Sequence, residues 1–424
     1  MLRAFLLLSA AALLVAGPAS AQDWRRHFIF GTGAKPSQND TAVSSADIYG
    51  FGTGFGFEGD APTLSTDSAG GKPFFFSFAA PEGNYRVTVT LGGDQASTTT
   101  VKAELRRLML ETVAAPAGAA VTKTFIVNVR TPNLPTGGQV RLKAPRESVD
   151  EARDWDNRIT LEFDGDNPEV RAIDVTPVDV PTIYLLGDST VCDQMGEPWA
   201  AWGQMLPRFF KPTVAIANHA ESGETVSDSN NRYRFAKILS EIKPGDVFIA
   251  QFGHNDMKEK ARDPDAPAKY KAGLIAWIKA IQAKGATAVI VTSMNRHTFK
   301  DGKVYNSLEE YPQLAREAVA ETGAALIDLN AQSKTLYEAL DEQGSLALFE
   351  HSADGAQRDA THQSPYGAYE LAKIIVQGLR DDHLAIAQQV LDDVPTFDPA
   401  HPDPESAFHV PPSAVYSAVK PFGN

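Results

Sequence analysis

The 424-residue chain has one cysteine, Cys192. One cysteine excludes an intrachain disulfide and any metal centre built from clustered thiolates. Basic residues are in deficit. Lys and Arg number 39 against 53 Asp and Glu, for a formal net charge of -14. That balance argues against a protein that tracks a phosphate backbone, because bulk charge would repel nucleic acid. No long apolar run follows the N-terminal residues, so no membrane-spanning helix is expected. The glycine-rich stretch Gly50–Gly59 lacks the Lys and Ser/Thr of a phosphate loop, and reads instead as tight turns beside packed aromatic residues.

The N-terminus does carry a signal. Arg3 gives a positive start, Phe5 to Ala16 is almost wholly apolar, and Gly17-Pro18 breaks the run before the small residues Ala19-Ser20-Ala21. This pattern predicts a cleaved export peptide over residues 1–21, and hence a periplasmic or extracellular protein.

Two regions of different periodicity follow. Residues 24–178 contain short alternating runs such as Tyr85-Arg86-Val87-Thr88-Val89-Thr90 and Lys123 to Val129, divided by turns such as Pro81-Glu82-Gly83-Asn84. They predict an all-β sandwich. Residues 179–392 switch to short apolar strands (182–186, 214–218, 246–252, 286–292 and 325–329) separated by helical segments, of which 270–284 and 309–322 are the clearest. Alternating strands and helices predict an α/β domain, a parallel sheet covered on both faces, with ligands at the carboxyl ends of the strands. A helix is expected from Tyr366 to about Leu379, with helical packing continuing over 381–390. Residues 393–424 form a Pro-rich tail, read equally as an ordered wrap or a loose end.

The chemistry-bearing residues fall after those strands. Gly187-Asp188-Ser189-Thr190 places a serine on a tight turn, where its hydroxyl can attack an ester carbonyl. Asp188 reads as a turn-shaping residue. A serine needs a base and the base needs an acceptor. Asp359 and His362, three residues apart before the last helix, meet both needs. A tetrahedral intermediate needs donors already in place, and Ser189, Gly223 and Asn255 are the candidates for that oxyanion hole. His254, Trp199, Trp202 and Arg296 are candidate substrate contacts: the tryptophans either stack on sugar rings or pack in the core, and Arg296 with His297 either meets a uronate carboxylate or lies on a surface loop. Cys192 reads as a small packing residue. No metal-ligand spacing is present, and no cofactor is required.

These four blocks, Gly187–Ser189, the Gly223 block, Gly253–Asp256 and Asp359–His362, occur in order over residues 181–380. The arrangement resembles the SGNH, or GDSL-like, hydrolase family, and within it the two-domain bacterial rhamnogalacturonan acetylesterases. The resemblance implies a three-layer α/β/α catalytic domain preceded by a galactose-binding-like β domain. It also implies a serine esterase acting on an acetylated polysaccharide or oligosaccharide. A lipase or broad acyl-ester hydrolase, and a non-catalytic carbohydrate-binding protein, are the alternatives. The second block departs from the pattern. Glu221 and Glu224 stand where pectin-active relatives carry small and basic residues, which argues against an acidic substrate. The oligomeric state is not legible.

Overall fold

The computed structural model describes residues 24–50, 52–351 and 358–422. The expected export peptide over residues 1–21 lies outside the described residues. Residues 26–177 form two facing sheets. One runs in the order Val121–Val129, Gly83–Leu91, Glu169–Pro177, Arg26–Phe30, Thr41–Val43, with two short strands paired beside this path. The other runs Phe55–Glu58, Phe74–Ala79, Arg158–Asp164, Ser97–Ala103, Arg107–Ala115. Side chains along Gly83–Leu91 alternate between buried and half-buried, as strand period requires. Phe28, Phe30, Phe57, Phe76, Phe78 and Phe163 fill the space between the sheets. Phe57 follows Gly56 in the glycine-rich stretch. Gly56 has φ of 147° and lies so close to the 47–49 backbone that a Cβ would sit 2.5 Å from Tyr49 N.

The second domain is built on five parallel strands: β1 (Thr182–Gly187), β2 (Ala215–Asn218), β3 (Val247–Gln251), β4 (Thr287–Val291) and β5 (Ala325–Ile327). Their order is β2-β1-β3-β4-β5. The sheet is apolar on both faces, because helices cover both. On one face Leu274, Trp277 and Ile278 of α1 (Ala266–Ala283) and Ala315 and Ala318 of α2 (Tyr311–Thr322) share a core with Phe248 and Ile290. On the other, Leu336 of α3 (Leu329–Ala339) and Leu371, Ile375 and Leu379 of α4 (Pro365–Asp381) pack on Ile183, Ile249 and Val289. The helix expected from Tyr270 starts four residues earlier, with Pro267 in its first turn. The helical continuation expected over 381–390 is interrupted. His383 takes a positive φ of 52°, and only a 3₁₀ turn, Ala385–Gln389, follows.

The order β2-β1-β3 creates a switch point. Chain leaves β1 to one side and β3 to the other, opening a crevice above their carboxyl ends. All four motif blocks are delivered to this end of the molecule.

Residues 393–422 run back over both domains. Glu197 N donates to Val415 O and Ser417 N to Glu197 O, both at 2.8 Å, while Arg106 of the β domain pairs with Glu197 at 2.5 Å. Among the described residues, no helix is long and apolar enough to cross a membrane.

Candidate active site

Ser189 sits two residues beyond β1. Gly187 is required there, since a Cβ would lie 2.5 Å from Val191 Cγ2 and 2.9 Å from Gln251 O. Asp188 shapes the turn. Its Oδ1 accepts from Thr190 N at 2.9 Å and Thr190 Oγ1 at 2.7 Å. Burial alone would raise the Asp188 carboxyl, but His254 and the Thr190 bonds outweigh it and hold the group below the usual range.

His362 lies at the end of strand 358–363, just before α4, whose N-cap Ser364 accepts from Gly367 N. His362 Nε2 is 2.9 Å from Ser189 Oγ, and its Nδ1 is 2.8 Å from Asp359 Oδ2. Asp359 Oδ1 accepts from the Thr361 and His362 amides at 2.7 and 2.8 Å. Burial pushes the Asp359 carboxyl up. The hydrogen bond and charge of His362 with those two amides overcome burial and drive it well below the usual carboxylate range. Lys420, from the C-terminal wrap, adds a cation 3.0 Å from Asp359 Oδ2. The structure therefore joins a hydroxyl, an imidazole and a carboxylate, 173 residues apart in the chain between Ser189 and His362, in the geometry that general-base activation of a nucleophile needs.

Gly223 follows β2 with φ of 74°, a left-handed conformation in which a side chain would be strained. Asn255 follows β3, and its Nδ2 donates to Glu224 O at 3.1 Å, fastening the third block to the second. The loop bearing Gly223 is tied to the serine turn as well, through Glu221 N donating to Gly187 O at 3.0 Å.

The candidate substrate contacts separate. Trp199 is half-buried and meets His362 edge-on, ring centroids 6.0 Å apart. Its indole donates to Ser417 O at 3.2 Å. Arg296 is half-buried, donating to Thr361 Oγ1 at 3.0 Å and His254 O at 3.3 Å. Trp202 does not face the crevice. It is fully buried, with its indole on Gln251 Oε1 at 2.9 Å, so it is a packing residue beneath the sheet end. His254 is likewise fully buried, with Nε2 3.1 Å from Met294 O and Nδ1 3.4 Å from Asp188 Oδ2. Burial, opposed in part by Asp188, lowers its pKa, and the side chain supports the serine turn rather than touching a ligand. Cys192 is buried, and burial with the nearby Glu221 charge pushes its thiol far up. This is a packing environment, unlike that of a reactive thiolate.

Glu221 and Glu224 also differ from expectation. Both are buried, and they face cations rather than the crevice: Arg146 Nε lies 3.2 Å from Glu221 Oε1, and Lys143 Nζ 2.8 Å from Glu224 Oε1. They therefore do not present the negative charge to a substrate that the sequence alone suggested. Lys143, Arg146 and Lys420 went unnoticed in the sequence. The signal that points to the first two is the anomalous pair of acids in the second block. Among the described residues, no group of three or more His, Cys, Asp or Glu side chains is arranged to hold a metal ion.

Residues 185–368 match the model of the GDSL-like lipase/acylhydrolase family. The chain is 35% identical over 219 residues to rhamnogalacturonan acetylesterase RhgT of Bacillus subtilis (strain 168), covering 48% of this chain and 93% of that one. It is 28% identical over 379 residues to the uncharacterized esterase YxiM of the same organism, covering 84% of this chain and 91% of the relative. The solved structure of YxiM covers 85% of this chain and 99% of its own, with a TM-score of 0.48 and 26% identity.

Proposed function

The chain belongs to the GDSL-like lipase/acylhydrolase family, and from that premise we infer that it is an exported serine esterase that releases O-acetyl groups from a plant cell-wall polysaccharide or its oligosaccharides, with rhamnogalacturonan as the substrate. The observation that carries this reading is the contact of Ser189 Oγ with His362 Nε2 at 2.9 Å, backed by Asp359. In this mechanism His362 takes the Ser189 proton as the oxygen attacks the acyl carbon. It then gives that proton to the departing sugar alkoxide. Water, activated by the same base, cleaves the acyl-enzyme. Asp359 holds Nδ1 protonated, so that Nε2 is the lone-pair nitrogen. The amides of Ser189 and Gly223 and the Asn255 side chain receive the oxyanion. The mechanism uses no cofactor.

Three features support the substrate class. The relative RhgT bears the name rhamnogalacturonan acetylesterase. Trp199 stands beside His362 as an aromatic edge for a sugar. Arg296 and Lys420 add cations around Asp359, which suits a polymer bearing uronates, and the acids at 221 and 224 do not oppose it because they are buried and paired.

Acetate release from acetylated rhamnogalacturonan and acetylated xylan, measured side by side with wild type and Ser189→Ala, tests the reading. The expected result is release from the pectic polymer that vanishes in the variant. Release from xylan alone would keep the chemistry and remove the substrate. A second expectation concerns the oxyanion. Asn255→Ala should lower kcat by about 100- to 1,000-fold, the usual cost of one donor, with KM little changed. A fall confined to KM would take Asn255 out of that role.

A further inference from the structure

The segment Arg141–Glu151 lies between two strands of the β domain, yet its polar side chains reach the loop that carries Gly223. Lys143 Nζ donates to Ser222 O at 2.5 Å and pairs with Glu224 Oε1 at 2.8 Å. Those two acceptors flank Gly223. Arg146 donates to Ser222 Oγ at 3.0 Å and pairs with Glu221 and Glu151. Arg234 of the catalytic domain is fully buried and pairs with Glu147 of the same segment, which also accepts from the Trp155 indole at 3.0 Å. The segment is thus fixed from both domains before it touches the loop.

One covalent fact gives these contacts a consequence for chemistry. Ser222 O and Gly223 N–H belong to the same peptide group. A trans peptide is planar, with its C=O and N–H pointing in opposite directions. Whatever fixes the Ser222 carbonyl therefore fixes the direction of the Gly223 N–H. A glycine at φ of 74° has little intrinsic preference to keep that plane in place. Lys143 grips the carbonyl end with a charge-assisted bond. The same bond polarises the amide and makes its N–H a better donor.

We propose that Lys143 is a positioning residue for the oxyanion hole, supported by Arg146, so that the β domain forms part of the catalytic apparatus. The proposal rests on the serine-esterase reading above. It also accounts for the unusual second block: Glu221 and Glu224 are the acceptors that hold Arg146 and Lys143 against the loop. Lys143 touches neither nucleophile nor base, so it acts only through Gly223.

The test compares full-length wild type, Lys143→Met, Lys143→Gln and Ser189→Ala on a soluble aryl acetate. Each protein is also checked by thermal melting and for affinity toward a trifluoromethyl ketone, which forms a tetrahedral adduct with a serine. Lys143→Met keeps the length of the side chain and removes its charge and donors. Lys143→Gln keeps a donor without the charge. The expected result for Lys143→Met is a fall in kcat of about 10- to 100-fold, the scale set by a misplacement on the order of 1 Å. KM should stay within about threefold, and ketone affinity should fall in step with kcat/KM. Lys143→Gln should lie between Lys143→Met and wild type. A folded Lys143→Met with kcat within twofold of wild type overturns the proposal. So does a loss of kcat without loss of ketone affinity, or one matched by the unfolded fraction at the assay temperature. A wild type no more active than Ser189→Ala overturns the esterase reading itself, and the role of Lys143 with it.

Discussion

Replacing Ser189 by alanine is expected to lower kcat on an acetyl ester by on the order of 10⁴- to 10⁶-fold while leaving the protein folded. The size follows from what is removed. In the proposed mechanism Ser189 Oγ, within hydrogen-bonding distance of His362 Nε2, is the nucleophile, and without it the acyl-enzyme cannot form. The residual rate is that of water in a site that still has its oxyanion donors and its substrate contacts. Stability changes little by comparison. The backbone of the turn is held by groups the substitution leaves alone: Asp188 on the Thr190 amide, and Gln194 Nε2 on Ser189 O at 2.6 Å. His362 loses one hydrogen-bond partner in a buried position, a cost of about 1–3 kcal/mol at most. Acetate release and a melting curve on the same preparation check both halves. Turnover within tenfold of wild type in a clean preparation would remove Ser189 from the nucleophile's role.

What made this site legible in sequence is that each of its pieces is local. A serine directly after an apolar strand, a glycine and an asparagine after two more, and an Asp-x-x-His before a helix each declare themselves within a few residues. The order β2-β1-β3 brings their strand ends to one crevice. The switch in periodicity near residue 178 separated the sandwich from the parallel sheet for the same reason, since both signals repeat over a few residues. The residues that the sequence leaves open or silent are those whose meaning depends on distant partners. Trp202 and His254 lie close in sequence to the serine and the asparagine, and only the packing of Gln251, Asp188 and Met294 around them shows that they face inward. Lys143 and Arg146 occupy an irregular segment with no period to read, 79 and 76 residues from the Ser222 atoms they hold. Glu221 and Glu224 were visible as oddities, but an acid in isolation does not disclose that its cation comes from another domain.

Asp359→Asn is expected to cost about 10⁴-fold in kcat with the fold intact, for a reason the local bonding makes specific. Among the described residues, Asp359 meets four donors. Its Oδ1 takes the Thr361 and His362 amides, and its Oδ2 takes His362 Nδ1 and Lys420 Nζ. Asparagine offers one oxygen where the carboxylate offers two. If that oxygen stays on the two backbone amides, the new NH₂ faces Nδ1, which must then accept. The imidazole proton is driven to Nε2, the nitrogen that has to receive the Ser189 proton, and Ser189 loses its base while every atom keeps its place. If the amide flips instead, its NH₂ opposes two backbone N–H groups in a buried turn, and the fold carries the penalty of unmatched donors. The first arrangement loses the fewest bonds, so the variant should melt near wild type and fail in chemistry. Lys420 sharpens the expectation, because its ammonium loses its anionic partner and the end of the C-terminal wrap loses a contact. The pH dependence gives a second readout. The wild-type carboxyl is held far below the usual range, so its contribution to stability is complete above the ordinary carboxylate range and is lost progressively from about pH 5 downwards, as the unfolded chain takes up the proton that the folded one still refuses. Asparagine cannot titrate, and the variant should lack this acid-side loss of stability. Melting temperatures of both proteins across the acid range, beside kcat at neutral pH, test the assignment. A variant that keeps wild-type kcat would leave His362 without need of an orienting carboxylate.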